Sequence, residues 1–266
     1  MLTPYRQGAI FDPSRGGLLA PFIDGWTTEL AADADRDVQL NPGAGTDSLV
    51  DSGRRVQTTA ALIKQIDGAW AEGTNAGGMS TGTVAVDTEY NLIIIEQDDG
   101  GAVDMIFDVS PTGANAPAGW TARRRVLSVF TDGSANIRPY IQAGDRVFFD
   151  EFVRDVNDST GVLGTYETAT VSVPAGMVGQ FSVLGQVTTA TDIQVAIRPG
   201  GGGNPTNTGK VSFSAVSSST ATLQFPVLMA VDASSQIEYT LRSGDGTWAN
   251  IQVVIMGWID DRGRNA

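Results

Sequence analysis

The sequence predicts a mainly β protein: a short N-terminal arm and one helix on a small β domain, followed by a C-terminal β-sandwich of jelly-roll type. Three observations predict it. Gly is abundant, with 32 of 266 residues, whereas Lys stands only at Lys64 and Lys210, a profile of short strands and turns. From Val84 onward, runs of β-branched and aromatic residues recur roughly every ten residues between Gly, Pro and Asp clusters. A single window carries a helical period.

Residues 1–55 form the expected arm. Phe11, Leu18, Leu19, Phe22 and Trp26 are apolar anchors scattered among turn residues. The segment is too apolar for plain disorder and too irregular to build a core of its own. It reads as an anchoring arm that orders against its own domain or against a partner subunit.

Residues 56–152 form a β module with one helix. Thr58 or Thr59 suits an N-cap, and Ala61, Leu62, Ile66, Ala69 and Trp70 fall at three- and four-residue spacings, with Gly73 as the stop. Such a helix serves either its own sheet or a subunit interface. Strands are expected over Glu89–Gln97, Val103–Ser110, Ala122–Phe130 and Asp145–Phe152. Asp98-Asp99-Gly100-Gly101 between two β-branched runs is a hairpin signal. Asp104, Ile106 and Asp108 alternate with Val103, Met105 and Phe107, which predicts a half-solvated strand.

A polar stretch over 153–164 marks the expected domain boundary. Residues 165–266 then carry seven expected strands: Tyr166–Val173, Gly179–Thr188, Ile193–Pro199, Lys210–Val216, Ala221–Leu228, Gln236–Leu241 and Asn250–Ile259. In the last of these, Ile251, Val253, Ile255 and Gly257 share one face and Val254, Met256 and Trp258 the other. Two apolar faces place that strand centrally in the sandwich or between subunits.

Charge and missing residue types narrow the function. A formal net charge of -13 opposes a nucleic-acid role and docking on anionic lipid. Without Cys and His, Cys/His zinc sites, Cys nucleophiles, Ser-His-Asp triads and disulfides are excluded. The longest apolar run, Leu92–Ile95, is far short of a membrane span, and Met1–Arg6 has no signal-type core. The expectation is a soluble product made in the cytoplasm.

Each motif that resembles a site fails a chemical test. Gly203–Lys210 has phosphate-loop spacing one residue too long, Val211 in place of the magnesium-binding hydroxyl, and a strand after it. Asp33-Ala34-Asp35-Arg36-Asp37 starts like a calcium loop, yet Val38 takes the Gly position and Ala44 the Glu position. Asp155–Ser159 fails likewise at Thr160. The carboxylate pairs Asp98/Asp99, Asp150/Glu151 and Asp260/Asp261 are strand neighbours, whose side chains point to opposite faces. Arg123-Arg124-Arg125 reads as pairing with the surrounding acids rather than as an anion site. Trp120, Trp248 and Trp258 read as structural plugs, with sugar stacking as the alternative. No catalytic, cofactor-binding or metal-binding residue is predicted.

In order, residues 35–150 carry a Gly-turn strand (Asp37–Gly43), a Leu-x-Lys-x-x-Asp-x-x-Trp core (Leu62, Lys64, Asp67, Trp70) and Ala76-Gly77-Gly78. Gly82 and an aromatic-led strand from Tyr90 follow, then Pro117, Gly119 and Trp120. Arg124, Arg125, Leu127, Ser128 and Val129 and a Gly144-Asp145 close complete the series. This series resembles a phage virion module found in tail-fibre and other adhesion proteins. Met79-Ser80 and Asn91 depart from its usual pattern.

The resemblance implies a non-enzymatic virion subunit, foremost a tail fibre or spike protein for host attachment. Collar, baseplate or capsid-decorating parts are the alternative, and a glycan depolymerase is the last. It also implies a homotrimer; the arm is then expected to attach to other virion proteins and a host glycan is the candidate ligand, while the acidic charge and the lack of a long apolar run lead us to expect no nucleic-acid partner and no membrane insertion. The implied location is the virion, assembled in the host cytoplasm. No cofactor is implied.

Overall fold

The computed structural model describes residues 22–49, 54–188, 192–201, 211–216, 221–243 and 247–263. Among the described residues, nineteen strands make up the regular structure and no helix occurs. The chain divides into two compact units. Unit 1 runs up to Ile137 and resumes at Asp261; unit 2 is Arg138–Asp260.

Unit 1 contains β1 (Ile23–Gly25), β2 (Thr28–Leu30), β3 (Asp37–Leu40), β4 (Gly43–Thr46), β5 (Arg55–Thr58), β6 (Leu62–Ala69), β7 (Ala76–Met79), β8 (Glu89–Gln97), β9 (Val103–Asp108) and β10 (Trp120–Phe130). A three-stranded sheet has the order β1-β4-β5, and a seven-stranded sheet the order β10-β8-β9-β7-β6-β3-β2. The described parts of the expected arm, residues 22–49 and 54–55, contribute β1 to β4 and the first residue of β5; Phe11, Leu18 and Leu19 lie outside the described residues.

The expected helix is a strand. Residues 62–69 form β6, antiparallel to β3 and parallel to β7. Lys64 and Ile66 are buried on one face, while Gln65 and Asp67 lie on the other. This period of two was hidden because its buried position holds a lysine, which ordinarily faces water. Ile63 and Ile66 favour a strand, and Gly68 disfavours a helix interior.

The half-solvated reading of Val103–Asp108 is also corrected. Asp104 and Asp108 are 1% and 0% exposed. Both faces of β9 are covered, and both carboxylates are held inside by hydrogen bonds (below). On the hairpin formed with β8, Ile93, Ile95 and Ile106 form a core cluster, with Leu49, Trp70 and Trp120 packed around it. Each such aliphatic side chain contributes about 1.5–3 kcal/mol on burial.

Unit 2 contains β11 (Tyr140–Ala143), β12 (Arg146–Asp158), β13 (Glu167–Thr170), β14 (Val178–Thr188), β15 (Asp192–Pro199), β16 (Val211–Val216), β17 (Ala221–Ala230), β18 (Gln236–Arg242) and β19 (Thr247–Ile259). They form a five-stranded sheet β11-β12-β19-β14-β17 and a four-stranded sheet β13-β18-β15-β16. The two sheets meet closely at Gly185, where a Cβ would lie 2.3 Å from Val195 and 2.5 Å from Leu241. Residues 153–158, expected within a polar break, continue β12.

Bulges shape the five-stranded sheet. Between Phe148 and Val153 the β12–β19 register slips, and Phe152 stands 61% exposed. The β14–β19 register slips between Gln180 and Phe181, which turns Trp258 onto the buried side, where it packs edge-on against Phe149 at 5.3 Å. Gly257 belongs there because a Cβ would sit 2.0 Å from the Val147 carbonyl. The side of the sheet away from the core carries three cross-strand rows. The middle row is Ile141–Phe148–Gly257–Gln180–Leu228. One flanking row is Ala143–Arg146–Ile259–Val178–Ala230, and the other is Arg154–Val254–Ser182–Pro226.

Candidate functional site

Of the residues that carry the resemblance, Lys64 on β6 and Gly77 and Gly78 on β7 lie beside β9. Lys64 pairs with Ala76, and carrying the Met79–Phe107 register back three residues sets Asp104 opposite Ala76 as well. Lys64 and Asp104 thus stand level with each other, one strand apart. The Lys64 ammonium donates to Asp104 Oδ2 at 2.8 Å, with both side chains essentially inaccessible. It also donates to the Ala71 carbonyl at 2.6 Å, and Gly73 N–H donates to the same Asp104 oxygen at 3.0 Å. Trp70 presents its ring 5.6 Å from the ammonium.

This arrangement answers a topological need. β6 and β7 are parallel neighbours, yet only residues 70–75 join them, whereas parallel strands ordinarily need a crossover of a dozen or more. The short crossover folds back over the sheet, and Lys64 and Asp104 hold it there through Ala71 and Gly73. Gly77 and Gly78 make room: a Cβ on Gly77 would sit 2.0 Å from the Ala69 carbonyl, and one on Gly78 2.8 Å from Lys64 Cβ. Burial pushes the Lys64 ammonium below its ordinary value, opposed by the hydrogen bond and the charge of Asp104.

The Arg cluster is taken up by structure. Register slips on either side of Arg124–Arg125 let three consecutive arginines all turn inward. Arg123 bridges Asp47 at 3.2 Å and Glu96 at 3.0 Å. Arg124, wholly buried, donates to the carbonyls of Thr46 and Arg262. Arg125 pairs with Asp261 at 2.7 Å and donates to Ser128, whose hydroxyl donates to Asn91. The guanidinium of Arg262 in turn reaches the carbonyls of Gly25 and Trp26.

The candidate carboxylates serve turns. Asp99 accepts from the Gly101 N–H within the β8–β9 turn, and Asp98 accepts from the Thr121 hydroxyl on β10. Asp108 accepts from Ser110 N–H and from both Asn115 nitrogens. Asp155 is held by Ser172, and Asp158 accepts from the N–H and hydroxyl of Thr160. The Asp33 carbonyl accepts from the N–H groups of Arg36 and Asp37, so this stretch is a tight turn. Burial, with Asp33 and Asp67 nearby, raises the Asp37 carboxyl above its ordinary range. Asp150 and Glu151 stand exposed on the β12 bulge, and Asp260 is buried. No cluster of three potential metal ligands occurs among the described residues. Gly203–Lys210 lies outside them.

Of the tryptophans, Trp258 is interior, and Trp248 donates to the Asp158 carbonyl while Gly161 lies against its ring. Trp120 meets Trp70 edge-on at 5.2 Å. It follows a turn in which its N–H closes on the Pro117 carbonyl and Gly119 takes φ +81°, which only Gly adopts without strain. Gln97, Asp98, Asp99, Gly119 and Trp120 line a shallow cleft of about 400 Å³. One aromatic edge beside carboxylates and an amide offers hydrogen-bond acceptors and an apolar wall. It contains no nucleophile with a base beside it.

No family model matches the chain, and no curated protein matches it. Among solved structures, it is similar to a Bacillus thuringiensis Cry1Da tryptic core variant (9% identity, 91% of this chain and 51% of that one, TM-score 0.20). It is also similar to the infectious bursal disease virus VP2 subviral particle (11%, 93% and 74%, TM-score 0.23). A third is the structure of the Gx strain of that virus (11%, 93% and 71%, TM-score 0.24). The chain spans about half the length of the Cry1Da core. These neighbours are β-rich, and likeness at this level carries no argument about function.

Proposed function

We propose that the chain is a non-enzymatic structural subunit of a phage-like virion. One observation carries this reading. The residues of the phage-module resemblance, Lys64, Trp70, Gly77, Gly78, Arg124, Arg125 and Ser128, build a buried scaffold, and the acids beside them are tied into it. A scaffold that holds its ionisable groups fixed suits a load-bearing part better than a catalyst, which keeps such groups poised and accessible.

Within this reading, unit 2 is a jelly-roll-like sandwich, the preceding arm attaches the chain to other virion proteins, and the particle is a fibre or spike that meets a host glycan. The cleft beside Trp120 supplies the acceptors and the aromatic wall that a sugar needs. Proteomics and immunogold imaging of density-purified particles test the role. The chain is expected as a stoichiometric component at the tail or another surface feature. Its absence from purified particles sinks the virion reading, and release of reducing sugar from host capsule sinks the non-enzymatic one. Loss of glycan binding in Trp120→Ala, with the fold intact, is expected if the cleft is the attachment site.

A further inference from the structure

We propose that the outward face of the five-stranded sheet in unit 2 is an interface on which the same face of a second copy of this chain packs. The inference rests on the reading of the chain as an assembling subunit and names the surface that assembles.

Exposure and composition single this face out. Its middle row ends at Ile141 and Leu228, which are 58% and 60% exposed, two of the most exposed large apolar residues among those described. Val178, Val254 and Ile259 lie half-buried in the rows beside it. None of the positions in the three rows is a carboxylate, in a chain with 30 Asp and Glu and a net charge of -13. Two copies of so acidic a chain repel each other over most of their surfaces. Here the acids are confined to Asp150 and Glu151 on the β12 bulge, with Arg146 and Arg154 on the same strand, and apolar area is offered beside them.

The polar groups present are the kind that match themselves. Gln180 sits within the middle row as an uncharged side chain, 8% exposed. At the β12 margin, Arg146 and Arg154 flank the exposed Asp150 and Glu151, a mixed-sign rim that complements its own copy.

The area suffices. Five strands at about 4.8 Å and three rows along them make a patch of roughly 500 Å² per copy. Two copies therefore cover on the order of 1,000 Å², the size a specific interface must reach.

Light scattering on the purified full chain, with Leu228→Asp, Ile141→Asp and Val162→Asp, tests the proposal. Val162 is 62% exposed and lies outside the three rows, so it controls for the substitution itself. The wild type is expected at twice the 27.9 kDa of the chain at micromolar concentration. Leu228→Asp and Ile141→Asp should weaken the dimer by at least about a hundredfold, since each buries an unpaired charge. Val162→Asp should leave it unchanged. Circular dichroism should show all three variants folded, as each site is exposed. A wild-type monomer, a trimer or larger ring, or a dimer that survives both face substitutions overturns the proposal. A dimer in a chain absent from purified particles overturns only the virion reading, and a monomer found in particles overturns only this one.

Discussion

Lys64 and Asp104, forty residues apart in sequence, meet at 2.8 Å with no access to water, and between them they hold down the crossover that lets β6 and β7 run parallel. A buried pair of this kind is costly to break from one side, because the remaining charge has no partner and no solvent. Lys64→Met or Asp104→Leu alone is therefore expected to destabilise unit 1 by about 3–5 kcal/mol. The double variant should recover a good part of that loss, since it removes both charges at once. Urea unfolding of the two single variants and the double variant measures the coupling; additive losses would show that the pair acts as two independent residues.

Gly77 and Gly78 test the close approach of strands beside this pair. Alanine at Gly77 drives a methyl into the Ala69 carbonyl, which is backbone and has nowhere to go. At Gly78 the obstacles are the Lys64 Cβ and the Phe107 ring, at 2.8 and 2.9 Å, which give way more readily. Both substitutions should destabilise, Gly78→Ala by about 1–3 kcal/mol as overpacking does and Gly77→Ala by more. Thermal melts rank them, and equal melting temperatures would contradict the backbone clash.

Asp261 and Arg262 belong to unit 1 although unit 2 precedes them in sequence. A chain ending at Asp260 loses the Arg125–Asp261 pair and the carbonyl that Arg124 donates to, and it strips Gly25 and Trp26 of their donor. Hydrogen exchange should quicken in peptides over 23–30 and 120–130 while 178–188 stays as protected as in the full chain. Uniform loss of protection across both units would mean that the tail acts on the whole chain.

Tyr239 supplies a pH signature. Burial first, and then the charge of Asp158, push its hydroxyl from 10.0 up to about 12. The folded state thus holds the proton more tightly than the unfolded chain. The stability this contributes is fully present below pH 10 and is lost as pH rises from 10 to 12. Tyr239→Phe should flatten that decline, as followed by denaturant midpoints across this range. A wild-type midpoint that does not move between pH 10 and 12 would contradict the shift.

Much of the strand content was legible because it is local. Alternating β-branched runs between turn residues locate β8, β9, β10 and β14 to β19 within a few residues. What was not legible depends on distant partners. Leu62, Ile66, Ala69 and Trp70 read as a helical stripe until Asp104 meets Lys64 and marks the buried face of a strand. The alternation of Asp104 and Asp108 with apolar neighbours is the mark of a half-wet strand unless Lys64, Gly73 and Asn115 come to meet them. For the candidate site, the pairing of Arg123 and Arg125 with acids followed from charge balance. The inward turn of Arg124 did not, because it needs two register slips and a carbonyl 138 residues away.

The return of the chain at Asp261 also sets an order of events. On the ribosome, residues 22–137 emerge well before their closing piece, and all of unit 2 must be made in between. Until residues 261–263 arrive, Arg124 lacks one of its acceptors and Arg125 its counter-ion. A translation product that stops early is therefore left with an unfinished first unit, however complete its strands. Such a chain keeps Arg124 and Arg125 short of these two contacts, so the pairing inside unit 1 is finished only after unit 2 has been made.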